Sequence, residues 1–291
     1  MKDLIKKFDA LIVASFLLLA LLDAFVWLKI GFERPLQSPR LYFLDIGQGD
    51  AELIVLPGNI KILTDAGPDK KVLAAFEKLP LGNHYIDIAI ISHPQLDHFN
   101  GFQYLLDRYQ IGAFIFNGRS DDPKVKEWAA LLEKIKQANI PLITLAAGDR
   151  IRYQDSRIDF LSPNDDFVQS GELNDTGFVE LLDSRGLKAL LTADIGSNIE
   201  RYLIDHFDVQ ADVLKVPHHG SRFSSSDEFL KAVNPKLAVI EVGAHNRYGH
   251  PTKETLARLA SSTAAKVFRT DINGTVSAFS DGRTLKVFTG K

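Results

Sequence analysis

The apolar run Ile86–Ile91, IDIAII, opens directly into Ser92-His93-Pro94-Gln95-Leu96-Asp97-His98-Phe99-Asn100-Gly101. No other feature constrains the chain as much. A short segment apolar on both sides suits a strand buried on both faces, as in a parallel sheet covered by helices. The turn that follows carries two imidazoles and a carboxylate, His93, Asp97 and His98, within six residues. Side chains in strand-end loops can converge on one point. Neutral imidazole and carboxylate suit a divalent metal of hard to borderline character. The chain has no cysteine, so disulfides, zinc ribbons and thiolate catalysis are excluded and any metal rests on His, Asp or Glu. A lone HxxxDH string is nonetheless a weak motif.

The same pattern recurs further along. Leu190-Leu191-Thr192-Ala193-Asp194 ends an apolar strand in a carboxylate. Leu214-Lys215-Val216-Pro217-His218-His219-Gly220-Ser221 ends another in two histidines, and Ala238–Gly243 is followed by Asn246-Arg247-Tyr248-Gly249-His250-Pro251. One histidine beside Gly or Pro is usually a turn residue. Four coincident strand-end clusters, holding five of the eight histidines, argue for a shared site. His84 and His206 read as ordinary polar positions.

Around these loops strands and helices alternate. Leu41–Ile46, Ala51–Leu56, Ile60–Asp65, Ile111–Phe116, Pro141–Leu145, Arg157–Leu161, Gly177–Asp183, Leu187–Thr192 and Ala211–Val216 read as strands. Asp69–Leu79, Phe99–Tyr109, Pro123–Ala138 and Gly196–His206 read as helices. Ser225–Val233, Lys236–Val242, Thr252–Ala260, Lys266–Thr270 and Thr275–Phe279 continue the alternation. A β-rich start, helices between later strands and two similarly built halves predict a layered α/β sandwich. With 291 residues, 45% of them hydrophobic and 24% charged, the chain can bury a sizeable core. A net charge of −3 excludes a general polycation, so any contact with nucleic acid needs a local basic patch or a bound metal.

Ahead of this domain Ala10–Ile30 reads ALIVASFLLLALLDAFVWLKI, with Asp23 and Lys29 its only charges. A membrane-spanning helix needs about 20 such residues. A cleavable signal peptide has a shorter apolar region that ends at small residues; here it continues into Phe25-Val26-Trp27-Leu28. The expected organisation is an uncleaved membrane anchor over residues 1–30, a linker with Pro35 and Pro39 over 31–40, and a hydrolase domain over 41–291. Lys2, Lys6 and Lys7 precede the span, while Lys29, Arg34 and Arg40 follow it. Lysines clustered on a short N-terminal tail usually stay inside, which places the domain outside the cytoplasm.

The order LDIGQGDAELI, ILTDAG, SHPQLDHFNG, NDTGFVELL, LLTADI, LKVPHHGS and NRYGHP resembles the metallo-β-lactamase-type domain of ComEC competence proteins, over about residues 41–280. The resemblance implies an αββα four-layer sandwich with a metal site at one edge between two sheets. It also implies a nuclease-type hydrolase of DNA or nucleotides, with DNA-uptake machinery as a possible partner. The multi-span channel of those proteins has no counterpart in this sequence, so transport is not carried over. The implied metal ligands are His93, Asp97, His98, Asp194 and a late histidine, His219 or His250. Asp97 would orient or deprotonate the attacking water, and His218 would touch substrate or protonate the leaving oxygen. Asp65 and Asp50 would support the ligands from behind, while Lys215, Arg222 and Arg247 would hold phosphates. Ser221 joins Asn174 as a candidate for substrate contact or ligand support. Two departures stand out. Gln95 replaces the second ligand of the family's His-x-His-x-Asp-His, and the next family histidine is missing, with Asn174, Asp175 and Thr176 near its place. One tight divalent ion, zinc or manganese, is therefore expected, with a second position weak or empty. Two other readings stay open: a hydrolase of another ester or amide, and a metal-poor binding module without catalysis.

Overall fold

Fifteen strands among the described residues sort into two sheets. They are β1 (Arg40–Phe43), β2 (Glu52–Leu56), β3 (Ile60–Thr64), β4 (Tyr85–Ile91), β5 (Gln110–Phe116), β6 (Leu142–Thr144), β7 (Arg150–Tyr153), β8 (Ser156–Ser162), β9 (Val179–Ser184), β10 (Leu187–Leu191), β11 (Val213–Lys215), β12 (Leu237–Ile240), β13 (Lys266–Arg269), β14 (Val276–Ser280) and β15 (Leu285–Thr289). The computed structural model describes residues 2–32, 38–119, 125–169, 171–282 and 284–291, with side chains in the first helix described for 12–27. The first sheet runs β15-β14-β1-β2-β3-β4-β5-β6 and the second β13-β12-β11-β10-β9-β8-β7. Each half begins with antiparallel strands and continues in parallel, over β3 to β6 in one and β10 to β13 in the other. The last two strands then return to the first sheet, where β14 pairs with β1.

Parallel strands bury both faces, which explains the long apolar runs. One face of each sheet meets the other sheet: Leu41, Ile54 and Ile90 share a cluster with Phe160, Leu182 and Val239. On the far side of the second sheet, Leu190, Leu214 and Ala238 pack with Ile199, Leu203, Phe229, Leu230 and Leu259 from three helices. On the far side of the first, Phe102 meets Phe114 edge-on at 5.2 Å and Phe99 meets Trp128 at 5.0 Å. The layers are helix, sheet, sheet, helix. Each fully buried large apolar side chain contributes roughly 2 kcal/mol.

The structure departs from the sequence expectations in three places. Phe99–Tyr109 is not one helix; it splits into Leu96–Phe99 and Phe102–Leu105. The break lies at Gly101, whose N–H donates to the Gly67 carbonyl at 2.7 Å. The strands β7 and β15 were not expected. Both lie at sheet edges, and edge strands carry polar and charged residues that hide the alternation. At the N-terminus, Lys2–Phe32 is one helix, and Ile12, Phe16, Leu17, Phe25 and Trp27 along it are exposed. Among the described residues no helix is long and apolar enough to cross a membrane. The chain divides into units of residues 1–36 and 37–291. Of the expected linker, residues 33–37 lie outside the described residues.

One buried acid bridges the sheets. Glu180 on β9 accepts a hydrogen bond from Thr64 Oγ1 on β3, at 3.0 and 3.2 Å to its two oxygens. Burial pushes its pKa from 4.5 up to about 8, against the opposing effect of Thr64. The folded state therefore holds this proton where the unfolded chain has lost it. The contribution is greatest below pH 4.5 and is lost as pH rises towards 8. Glu180→Gln, neutral at every pH, should lose about 3 kcal/mol less stability than wild type between about pH 5 and 8. Urea unfolding of the full chain at both pH values checks this; parallel losses in both proteins would rule it out.

Candidate metal centre

The candidate side chains sit in loops at strand ends, most of them where parallel strands end. β4 runs into Ser92 and His93, and the helix Leu96–Phe99 then presents Asp97 and His98. From the other sheet, β10 runs into Thr192-Ala193-Asp194 and β11 into the turn Pro217–Gly220 that carries His218 and His219. Asp65 follows β3, and Asp50 ends the loop between β1 and β2. Ala193, His218, His219 and Asp65 have φ of 42°, 51°, 53° and 57°, in the left-handed region. Each such non-glycine residue costs about 1–3 kcal/mol, and such strain gathers at functional sites.

Three imidazoles converge, each braced on one nitrogen. His98 Nδ1 donates to Asp65 Oδ2 at 2.7 Å. His219 Nδ1 lies 2.9 Å from the Glu241 carbonyl oxygen and 3.2 Å from Asp50 Oδ1. Ser92 Oγ donates to Asp65 Oδ2, which leaves it to accept from His93 Nδ1 at 2.9 Å. The opposite nitrogens, Nε2 of His93, His98 and His219, are buried without a hydrogen-bond partner, as is Asp194 Oδ1. Asp194 Oδ2 lies 3.4 Å from both His98 Nε2 and His219 Nε2. Asp97 Oδ2 is 3.8 Å from His219 Nε2.

His93, His98 and Asp194 offer ligand atoms within 4.8 Å of one another, and so do Asp97, His98 and His219. Ligating histidines normally donate their far N–H to a carboxylate or carbonyl, which is the bracing observed. Buried nitrogens left without partners would be costly unless something positive fills the gap. Nitrogen and oxygen donors, with no thiolate, suit a divalent ion such as zinc or manganese. The residues present therefore fit a metal.

Electrostatics point the same way. Burial opposes charge on His98 and His219, yet Asp194 with Asp65 pushes His98 well above its ordinary value, and Asp194 with Asp50 raises His219 to about 10. Burial and His98 pull His93 down to about 4. Asp97 and Asp194 stay ionised despite burial, held well below the usual range mainly by His219 and His98. The carboxylates demand positive charge, and the protons on two histidines supply what a divalent ion would displace.

Other expected residues fall into several groups. Asp50 and Asp65 brace His219 and His98. Asn174 bridges Gln95 and His218: it accepts from Gln95 Nε2 at 2.5 Å, and its Nδ2 lies 3.4 Å from His218 Nδ1. Gln95 is thus engaged away from the ligand groups. His218 is part-exposed, with Nε2 3.9 Å from Asp194 Oδ2, and burial lowers its pKa against the pull of Asp194. His250, expected as a candidate ligand, belongs to no ligand group among the described residues. Its ring lies 5.7 Å from that of His218. Ser221 is a buried turn residue, its N–H donating to the His218 carbonyl at 2.8 Å and its own carbonyl accepting from Thr255. Arg222 and Arg247 are exposed beside Phe223 and Tyr248, 5.0 and 5.1 Å from the rings. Lys215 corrects the expectation of a phosphate ligand. It is fully buried, pairs with Asp50, and donates to the Ala193 carbonyl at 2.6 Å.

The sequence reading missed Glu52 and Glu241. Both are buried beside Asp50, with the three carboxyl groups within 4.8 Å. Burial raises Glu52 well above its ordinary value and Glu241 to about 8, with neighbouring carboxylates adding to it. The available signal was their place inside or at the end of strands apolar on both faces.

Comparison with known proteins gives a consistent answer. Residues 44–245 match the family model described as the metallo-beta-lactamase superfamily. The chain is 28% identical to ComE operon protein 3 of Bacillus subtilis over 254 residues, covering 80% of this chain and 32% of that protein. It is 29% identical to the competence protein ComA of Neisseria gonorrhoeae, covering 79% of this chain and 30% of that protein. The chain spans about a third of the length of these curated relatives. Among solved structures, the metallo-beta-lactamase fold protein YhfI from Bacillus subtilis superposes with a TM-score of 0.52 at 12% identity, covering 80% of this chain and 96% of that one. Two paired sheets, a strand-end cluster of His and Asp, and a family match across most of the chain agree: this protein belongs to the metallo-β-lactamase superfamily.

Proposed function

We propose that the chain is a metal-dependent phosphodiesterase acting on DNA or nucleotides outside the cytoplasm, held at the membrane by its N-terminal helix. The observation that carries the reading is the set of three buried, unpartnered Nε2 atoms, of His93, His98 and His219, gathered about Asp194 with Asp97 at the rim. A bound divalent ion, zinc or manganese, supplies Lewis acidity: it polarises a phosphoryl oxygen and acidifies water. His93, His98, Asp194, His219 and Asp97 would hold it. The rest of the work falls to the chain's own groups. Asp97, the most exposed carboxylate of the set, orients the attacking water and accepts its proton. His218, at the mouth, passes a proton through Nε2 to the leaving oxygen. Arg222 and Arg247 draw phosphates towards the rim, and the exposed rings of Phe223 and Tyr248 offer faces for bases. The competence relatives support a nucleic-acid substrate and a link to DNA-uptake machinery. The exposed apolar side chains between Ile12 and Trp27 support the anchor.

The full chain in detergent, supplied with Mn²⁺ or Zn²⁺, should cleave single-stranded or duplex DNA or a simple phosphodiester, and chelation should stop it. The same protein should float with lipid vesicles. Hydrolysis confined to carboxylic esters or amides would favour the other-hydrolase reading. Metal uptake without any turnover would favour a binding module, and failure to float would remove the anchor.

A further inference from the structure

Lys215 is fully buried, and a buried ammonium persists only when paired. Its surroundings are unusually acidic. Nζ contacts Asp50 Oδ2, donates to the Ala193 carbonyl at 2.6 Å and lies 3.7 Å from Asp194 Oδ1. Behind Asp50 stand Glu52 and Glu241, whose ligand oxygens lie within 4.8 Å of those of Asp50. Glu241 Oε1 accepts from the Ala51 N–H at 3.2 Å, and the Glu241 side chain is hydrogen-bonded to that of Glu52. Asp50, Asp194 and His219 also offer atoms within 4.8 Å of one another. The inner side of the centre is therefore a second, oxygen-rich group with the makings of a cation site. Asp194 belongs to both groups, and Lys215 reaches into the space they share.

We propose that the Lys215 ammonium is the resident cation of this inner group: a tethered positive charge standing where a second divalent ion would otherwise bind, so that the chain holds a single exchangeable ion. The inference rests on the reading that the outer group binds a divalent ion. It gives a reason for single-ion occupancy independent of Gln95. The ammonium balances Asp50, which is then free to brace His219 without drawing in an ion of its own. Its bond to the Ala193 carbonyl pins the strained turn that presents Asp194. One lysine thus positions ligands from two different strands.

The test is Mn²⁺ binding to the full chain, read by titration calorimetry and electron paramagnetic resonance, with no assay of turnover. Wild type should take up one Mn²⁺ showing an isolated-spin spectrum. Lys215→Met should take up two, with the broadened spectrum of a coupled pair, and its first ion should bind about 10- to 100-fold more weakly. Should Lys215→Met not fold, Lys215→Gln removes the charge while keeping an N–H that can donate to the Ala193 carbonyl. It should still admit the second ion, through Asp50, Glu52 and Asp194. A folded variant that stays at one ion with wild-type affinity would overturn the proposal while leaving the metal reading intact. Two coupled ions in wild type would overturn it as well. No uptake by wild type would remove the metal reading, and the inference with it.

Discussion

Asp97→Ala should retain a divalent ion and lose hydrolysis. The two properties separate because His93, His98 and Asp194 form a ligand group that does not include Asp97. Asp97 is also the carboxylate best placed to meet an incoming substrate: its side chain is 27% exposed, against 3% for Asp194. Loss of a charged group aimed at the reacting atoms costs roughly 10³-fold in rate, about 4 kcal/mol of transition-state stabilisation. The fold should hold, since the backbone bond from the Asp50 N–H to the Asp97 carbonyl at 3.3 Å needs no side chain. Metal analysis, circular dichroism and a phosphodiesterase assay on one preparation check all three points. A folded Asp97→Ala protein that cleaves at the wild-type rate would assign the activity to another site or another protein.

Gly101→Ala should be among the most damaging single-methyl changes in the chain. An added Cβ would lie 1.8 Å from the Ala66 carbonyl oxygen and 2.7 Å from its carbon, and neither atom can rotate away. This close approach joins two parts of the centre. Ala66 N–H donates to the His98 carbonyl and Gly101 N–H to the Gly67 carbonyl, both at 2.7 Å. A methyl group there pries the turn carrying Asp65 from the helix carrying Asp97 and His98. We expect about 3 kcal/mol or more of destabilisation, together with weaker metal uptake. Gly171→Ala is the control: nothing lies within 4 Å of its added Cβ, so it should stay within about 0.5 kcal/mol. Thermal melts of the three proteins decide the matter, and equal melting of Gly101→Ala and wild type would show that the backbone can yield.

Much of this site is visible in the sequence because its residues end apolar strands. His93, Asp97, His98, Asp194 and His219 each follow such a run, and the parallel strands deliver them to a common edge. Legibility fails where polar residues lie within a strand. Lys215 reads as a surface cation because lysines usually are, yet it ends a three-residue strand buried throughout. Glu52 stands two residues from Asp50 but opens a strand of apolar residues, and nothing in sequence spacing puts Glu241 near either of them. That proximity depends on pairing between distant strands, as does the bond from Ala51 N–H to Glu241 Oε1. Spacing likewise could not show that His219, and not His250, falls in a candidate ligand group among the described residues. His218 and His219 are both left-handed and His219 is buried, while His250 stacks beside Tyr248, their rings 5.9 Å apart. The edge strands β7 and β15 escaped for a simpler reason: both are short and have no fully buried residue, with Arg150 and Arg152 in one and Lys286 in the other.

The return of β14 to pair with β1 has a consequence for how the molecule could be cut. The ligand groups draw on both sheets, His93 and His98 from one and Asp194 and His219 from the other, and the C-terminal strands complete the sheet from which the chain set out. Neither half carries a working centre by itself. Split within the connection between β6 and β7, the polypeptide would yield two silent fragments, and metal affinity would appear only when they reassociate. The centre is thus a coincidence detector for correct docking of the two sheets, a property that would make this scaffold a natural split reporter.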